Sequence, residues 1–319
     1  MAPPHGASVR LDTPTGGDEP STVRALTLTL LGGLLAGSAE GQAPPSTAIW
    51  RVVAASLPVP PALAGGATAG FWNPAASHEA RLTAGVEILQ TSDVLGLAGI
   101  VGGVTMSLGR HFTVGALVGR VQVDDLVRTT TSPTTVVGSI PVYNQMVAGG
   151  VRIGFDRVRV GALLRVHDAR FDTIREGGAT ADVGVRIQPV PHLAVAVATH
   201  FLPVDLGKDG STDYYFGAEY EVTGLRTAGL RTAIVARYGT AYRPSGDLEH
   251  SVSAGVRFED HVRIDGVLAR ESAFGRGAWR PGIGLELRVG RYAVSFARSV
   301  GINDVDGTYR IGLDVEVLP

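Results

Sequence analysis

From about residue 81 to the C-terminus the chain repeats one pattern: runs of eight to ten residues with apolar side chains at every second position, each closed by a turn. Leu82, Ala84, Val86 and Ile88 share one register. After Gly109-Arg110-His111, Phe112, Val114, Ala116 and Val118 do the same. Val147, Val151, Ile153 and Phe155 precede Asp156-Arg157, and Val158, Val160, Ala162, Leu164 and Val166 follow it. Leu193, Val195, Val197 and Phe201 form a further set, and the last run is Tyr309, Ile311, Leu313, Val315 and Val317. A period of two belongs to strands, whose successive side chains point to opposite faces. About fourteen such strands can be counted, so the expected fold class is all-β.

The second register holds the charges. Arg152, Arg159, Arg165, Asp182, Arg186, Glu219, Arg237, Arg263, Asp265, Glu286 and Arg288 all fall in it, with Glu87, Arg231, Arg257, Arg310, Asp314 and Glu316. Between them lie glycine, alanine, serine and threonine. Apolar on one face and ionic on the other fits a sheet whose greasy side meets lipid. In hydrocarbon every backbone N–H and C=O must pair within the protein, so strands span only as a closed barrel. An Arg or Lys facing lipid at the midplane costs roughly 2–4 kcal/mol, which explains a charge-free apolar register.

The connectors also alternate. Short joins are expected at 109–111, 156–157, 188–192, 223–229, 259–261 and 290–291, and long ones at 123–142, 169–179, 202–212, 239–249, 270–280 and 299–307. Short turns at one end and longer loops at the other are the habit of outer-membrane barrels. Phe112, Phe155, Tyr220, Phe258 and Tyr292 fall beside short turns, where an interfacial girdle belongs. The sequence therefore predicts a closed antiparallel transmembrane β-barrel over residues 81–319, in the outer membrane of a diderm bacterium. Outer-membrane lipid and the barrel-assembly machinery are the partners this entails.

Export needs a signal. Residues 25–37 (ALTLTLLGGLLAG) are an uncharged run behind Arg24, followed by small residues to Ala43. As a helix the run reaches only about 20 Å, too short for about 30 Å of hydrocarbon, so residues 1–43 read as a secretory signal rather than a span. Residues 1–22, Pro/Gly-rich and partly acidic, are read as an artefact of start-site choice. The signal carries two arginines and four acids; its loss leaves equal counts of basic and acidic residues from the 28 and 30 of the whole chain. No global field then recruits nucleic acid. There is no cysteine, which removes disulfides, thiolate metal sites and cysteine nucleophiles.

Residues 44–80 do not alternate. A small-residue run from Ala64 leads to Phe71-Trp72-Asn73-Pro74-Ala75, and Asn-Pro is a turn signal. This stretch resembles the N-terminal signature of the FadL/PorV superfamily of outer-membrane proteins, in which an aromatic pair runs into Asn-Pro-Ala before the first strand. Ala76 stands where a glycine is common. The resemblance implies a fourteen-stranded barrel with an N-terminal plug or hatch at 44–80, in which Phe71, Trp72, Asn73, Pro74 and Ala75 are the plug residues. It implies either FadL-like uptake of hydrophobic or amphipathic small molecules such as a fatty-acid-like ligand, or a PorV-like scaffold for protein secretion or surface attachment. A transporter would have a continuous interior cavity reaching a gap in the wall. A scaffold would be plugged, with apolar outer loops.

Enzyme chemistry is not indicated. His167, His200, Ser251 and Ser253 share the inward register but nothing brings nucleophile and base together. Asn303-Asp304-Val305-Asp306-Gly307 has calcium-like oxygen spacing but reads as an Asp-Gly turn. No cofactor and no metal site is expected.

Overall fold

The computed structural model describes residues 45–76, 80–91, 96–129, 136–204, 212–243, 248–273, 276–300 and 307–318. Residues 1–43, where a signal is expected, and residues 303–306 of the expected last loop lie outside them.

The alternating runs form sixteen strands: β1 (Leu82–Thr91), β2 (Leu97–Leu108), β3 (Phe112–Val123), β4 (Val127–Thr129), β5 (Val136–Ser139), β6 (Val142–Phe155), β7 (Val158–Phe171), β8 (Ile174–Val190), β9 (Leu193–Pro203), β10 (Asp213–Thr227), β11 (Leu230–Tyr242), β12 (Leu248–Phe258), β13 (Val262–Ala273), β14 (Arg276–Val289), β15 (Tyr292–Ser299) and β16 (Thr308–Leu318). Fourteen close into one antiparallel barrel in chain order, with β16 hydrogen-bonded back to β1 from Leu82↔Leu318 to Thr91↔Thr308. The remaining two, β4 and β5, pair as a separate ribbon within the connector between β3 and β6.

Register follows the hydrophobic pattern. Val147, Leu164, Val166, Ile283 and Ile311 point outward and are more than half exposed, while their strand neighbours Ala148, Leu163 and Arg165 are buried inside. An isolated soluble sheet would not leave that much aliphatic surface in water. Among the described residues the exterior carries charge only toward the end with the longer connectors, at residues such as Arg120, Arg270 and Arg298, each the neighbour of an outward apolar residue two positions further into the band.

Two expected long loops are not loops. The strands continue through 169–179 to a two-residue turn between Phe171 and Ile174, and in 270–280 β13 runs on to Ala273 and β14 begins at Arg276. Asp172 takes a left-handed φ of 55° to close the first turn, a conformation that aspartate tolerates. The hairpin can form because Phe171 and Ile174 still alternate with Arg170 and Arg175 across the pair. Strands of 14 and 17 residues exceed the roughly 9–11 needed to cross a bilayer, so β7 and β8 project beyond it.

The non-alternating segment folds as helix α1 (Pro45–Ala55), then two single 3-10 turns at Pro61–Leu63 and Ala69–Phe71. It supplies Trp50, Val53, Leu63, Phe71 and Trp72 to a large cluster of buried apolar residues. The barrel supplies Leu89, Leu97, Val101, Leu117, Val121, Met146, Ala148 and Leu163 from β1, β2, β3, β6 and β7, and Ala196, Ala198, Phe201, Tyr215 and Ala241 from β9, β10 and β11. The inner wall is thus apolar on that side, contrary to a uniformly polar interior. These residues sit in the inward register because they face α1 and Phe71 rather than water.

Candidate functional site

Segment 45–76 touches the inner wall through glycines. The inward register of seven strands carries a glycine where the segment comes nearest, and a Cβ there would collide with it. At Gly103 on β2 it would lie 2.6 Å from Ala67 O, at Gly119 on β3 2.8 Å from Trp50, and at Gly217 on β10 2.6 Å from Leu63. At Gly284 on β14 it would meet Pro58 at 2.7 Å, and at Gly239 on β11 it would strike Pro60. On β7 and β8, the Cβ of an alanine at Gly161 or Gly184 would fall on Pro74 O or on Asn73 Oδ1. Glycine weakens a strand interior and often marks close approach of another backbone, so these seven positions describe a seat.

Polar contacts fix the segment within it. The C-terminus of α1 leaves carbonyls without helical partners. Arg310 on β16 supplies the missing cation, with Nη2 donating to Val53 O at 2.8 Å and to Ser56 Oγ at 3.0 Å. Arg51 on α1 forms a two-pronged pair with Asp213 on β10, at 2.8 and 3.1 Å. Asp314 accepts the Ala67 N–H at 2.8 Å, and Thr68 donates to Glu87.

Phe71, Trp72 and Asn73 are wholly buried. Trp50 and Phe71 rings lie 4.8 Å apart, Phe71 and Trp72 4.6 Å. Trp72 stacks on His200 at 5.8 Å with planes within 2°. The Arg165 guanidinium lies 4.2 Å over the Phe71 ring and donates to the Phe71 carbonyl, which His200 Nε2 also approaches. Asp182 pairs with Arg165 and accepts the Phe201 N–H at 2.9 Å. Asn73 ties the segment to itself: Oδ1 accepts the Ala75 N–H at 2.9 Å, an Asn-type turn, and Nδ2 donates to Ala62 O at 2.7 Å. Pro74 and Ala75 lead out toward the short-turn end, where Arg152 Nη1 donates to Ala76 O.

Phe201 departs from its expected register. It faces inward at 3% exposure, next to His200, which also faces inward. The backbone bulges there: Phe201 has φ 60°, and the β8–β9 register shifts between Ala181 and Val183. A positive φ is costly for a bulky residue. Asp182, held opposite the bulge, takes the N–H that the ladder cannot use. No periodicity would reveal this; the nearest sequence signal is a histidine and an aspartate sharing the inward register on adjacent strands.

On the far wall the charged residues pair with one another. Arg186 reaches Glu219 at 3.4 Å, Arg237 bridges Glu219 at 2.6 Å and Asp265 at 2.8 Å, and Arg263 meets Asp265 at 2.7 Å. Arg288 reaches Glu286 and Glu316, both at 3.4 Å, and Arg310 pairs with Glu87. Between this network and the segment lie two cavities of about 240 and 570 Å³ that share Gly65, Gly66, Arg263, Glu286, Arg288, Ala293 and Asp314 in their linings. The larger extends to Arg257, His261, Arg291 and Tyr292 at the short-turn end. The smaller is bounded by Leu57, Leu63 and Trp72 of the segment. Arg159, beside Gly154 near the same end, joins no ion pair with a described residue.

The histidine and serine candidates are not brought together. His200 serves the Phe71 carbonyl, whereas Ser251 and Ser253 stand on β12, beyond β10 and β11. Among the described residues no group of three His, Asp or Glu could hold a metal ion.

A closed barrel of even strand number, apolar outside and ion-paired inside, leaves a single environment that suits both faces. The chain is an outer-membrane β-barrel. No protein-family model matches it, and no curated protein matches it. Among solved structures it is similar to the outer membrane protein Omp33 of Acinetobacter baumannii (10% identity over 74% of this chain and 97% of that one, TM-score 0.47). It is also similar to OprB of Pseudomonas putida (12%, 73% and 90%, 0.38) and to a Rh. blastica porin (8%, 73% and 98%, 0.40). The membrane assignment rests on the chain's own two faces rather than on these likenesses.

Proposed function

We propose that the barrel is a FadL-like channel for hydrophobic or amphipathic small molecules, with residues 45–76 as its plug. The observation that carries this reading is the two-sided lumen. Leu89, Val101, Leu117, Val121 and Leu163 line one wall, and Arg186, Arg237 and Arg263 with their carboxylates line the other. A path apolar along one side and ionic along the other suits a molecule with an acyl-like tail and a polar head. The apolar face of α1, with Trp50 and Val53, occupies the greasy wall that such a tail would use.

The plug is attached for release. Its contacts with the wall are close packing on glycines and hydrogen bonds and ion pairs that involve side chains, not strand pairing, so it can shift without breaking the barrel ladder. Deleting residues 44–76 should leave a folded barrel and raise the rate of small-solute entry in liposome swelling. Unchanged swelling would remove the plug from the account.

One observation favours the PorV-like scaffold as a second reading: consecutive barrel strands pair around the whole circumference, and the cavities stop beneath Leu57 and Trp72. A barrel that never opens would show no uptake of a radiolabelled long-chain carboxylate in any variant with the plug intact. A channel takes it up.

A further inference from the structure

We propose that the outward face of β12–β16, at its longer-loop end, is a binding site for a phosphorylated glycolipid of the outer leaflet. The residues are His250, Arg270, Trp279, Arg298 and Tyr309. They stand in two rows of cross-strand neighbours: His250 beside Arg270 beside Trp279 across β12, β13 and β14, and Arg298 beside Tyr309 across β15 and β16. All lie in the outward register, where the strand interiors are Val252, Leu268, Ile283, Phe296 and Ile311. From Val262 to Arg270, and from Phe258 to His250, is nine residues inclusive, about the length of one bilayer crossing. Tyr309 to Val317 on β16 is likewise nine residues, so both rows sit where acyl chains give way to headgroups.

Their chemistry is that of an anion site on an apolar base. Trp279 is 58% exposed, and the Arg298 guanidinium lies 5.3 Å over the Tyr309 ring, so an aromatic plane holds the cation while its N–H groups stay free for phosphate oxygens. No ion pair links Arg270 or Arg298 to a described carboxylate, and no described outward-facing residue in these rows is acidic.

The opposite face makes the contrast. There Arg120 also lies over a tyrosine ring, Tyr143 at 4.7 Å, but it donates to Gln122 at 2.9 Å and Gln145 at 3.1 Å, and Arg175 donates to Asp168 at 2.8 and 3.2 Å. Those guanidiniums are hydrogen-bonded to side chains of their own and neighbouring strands; Arg270 on β13 and Arg298 on β15 have no such bond to a described residue. The proposal depends on the membrane location but not on whether the barrel transports.

The test compares binding of bisphosphorylated lipid A and its chemically dephosphorylated form to the detergent-solubilised, membrane-extracted protein, by native mass spectrometry. Wild type and R120Q should bind the phosphorylated lipid alike, and the dephosphorylated lipid at least fivefold more weakly. R270Q/R298Q should lose roughly 20- to 30-fold in affinity, since each basic group at a headgroup surface contributes on the order of fivefold. Heat-shifted gel migration establishes that each variant is folded; if the double variant is not, R270Q and R298Q singly carry the same comparison. Equal binding of the two lipids, or equal loss in R120Q and R270Q/R298Q, would overturn the site. Displacement of the lipid by millimolar inorganic phosphate alone would show a free-anion site, which also overturns it.

Discussion

Gly184 is the point at which wall and segment are in closest touch, because the Asn73 amide occupies the volume of the missing Cβ. A leucine there has nowhere to go but through Asn73. The expected outcome of Gly184→Leu is a barrel that inserts and shows normal heat-shifted migration, yet swells liposomes faster than wild type. The buried node beside it works differently. Arg165 and Asp182 are both fully buried and satisfy one another, Phe71 O and Phe201 N–H. Removing one partner of such a pair costs about 3–5 kcal/mol because the other is left charged and desolvated. Asp182→Ala should therefore lower stability to urea in micelles by that order, and R165M/D182A should recover part of the loss. A double variant no better than Asp182→Ala alone would mean that Asp182 acts mainly through the Phe201 bulge.

At the scale of elements, the outward register makes the sharpest claim. Leu285 on β14 faces lipid and its cross-strand neighbourhood on β15 includes the inward Ser295, which lines the smaller cavity. Leu285→Arg should impair insertion, at a cost of roughly 2–4 kcal/mol near the midplane, while Ser295→Arg should insert normally; membrane fractionation reads both. Strands of this kind were legible from sequence because period-two alternation reports burial directly, and so was the charged inner register. What alternation cannot report is what covers the inner face. Leu117, Val121 and Leu163 break the polar-inside rule because the buried segment, through α1 and the Ala69–Phe71 turn, packs in the same apolar cluster. The glycines of the seat look like the small residues of any barrel interior until Pro58, Pro60 and Asn73 are placed against them. The hairpins at 169–179 and 270–280 read as loops because, beyond the bilayer, neither face needs to be apolar. The same rule places Phe201 outward, and the bulge suspends it.

For the whole molecule, the account reduces to a sheet joined to itself with lipid outside and an aqueous, partly filled interior. The absence of cysteine allows single thiols to be placed at will. The most direct measurement is a single-cysteine scan of β14 and β15 in proteoliposomes, each variant treated with a membrane-impermeant charged thiol reagent and, separately, labelled with a fluorophore and exposed to a lipid-phase quencher. Cysteines at Glu286, Arg288, Ala293 and Ser295 should react with the charged reagent and escape the quencher. Those at Leu285, Leu287, Val294 and Phe296 should do the reverse, so that the signal alternates residue by residue along both strands. Equal reaction in both registers, with no quenching in either, would contradict the barrel's orientation to the membrane and the functional reading built on it.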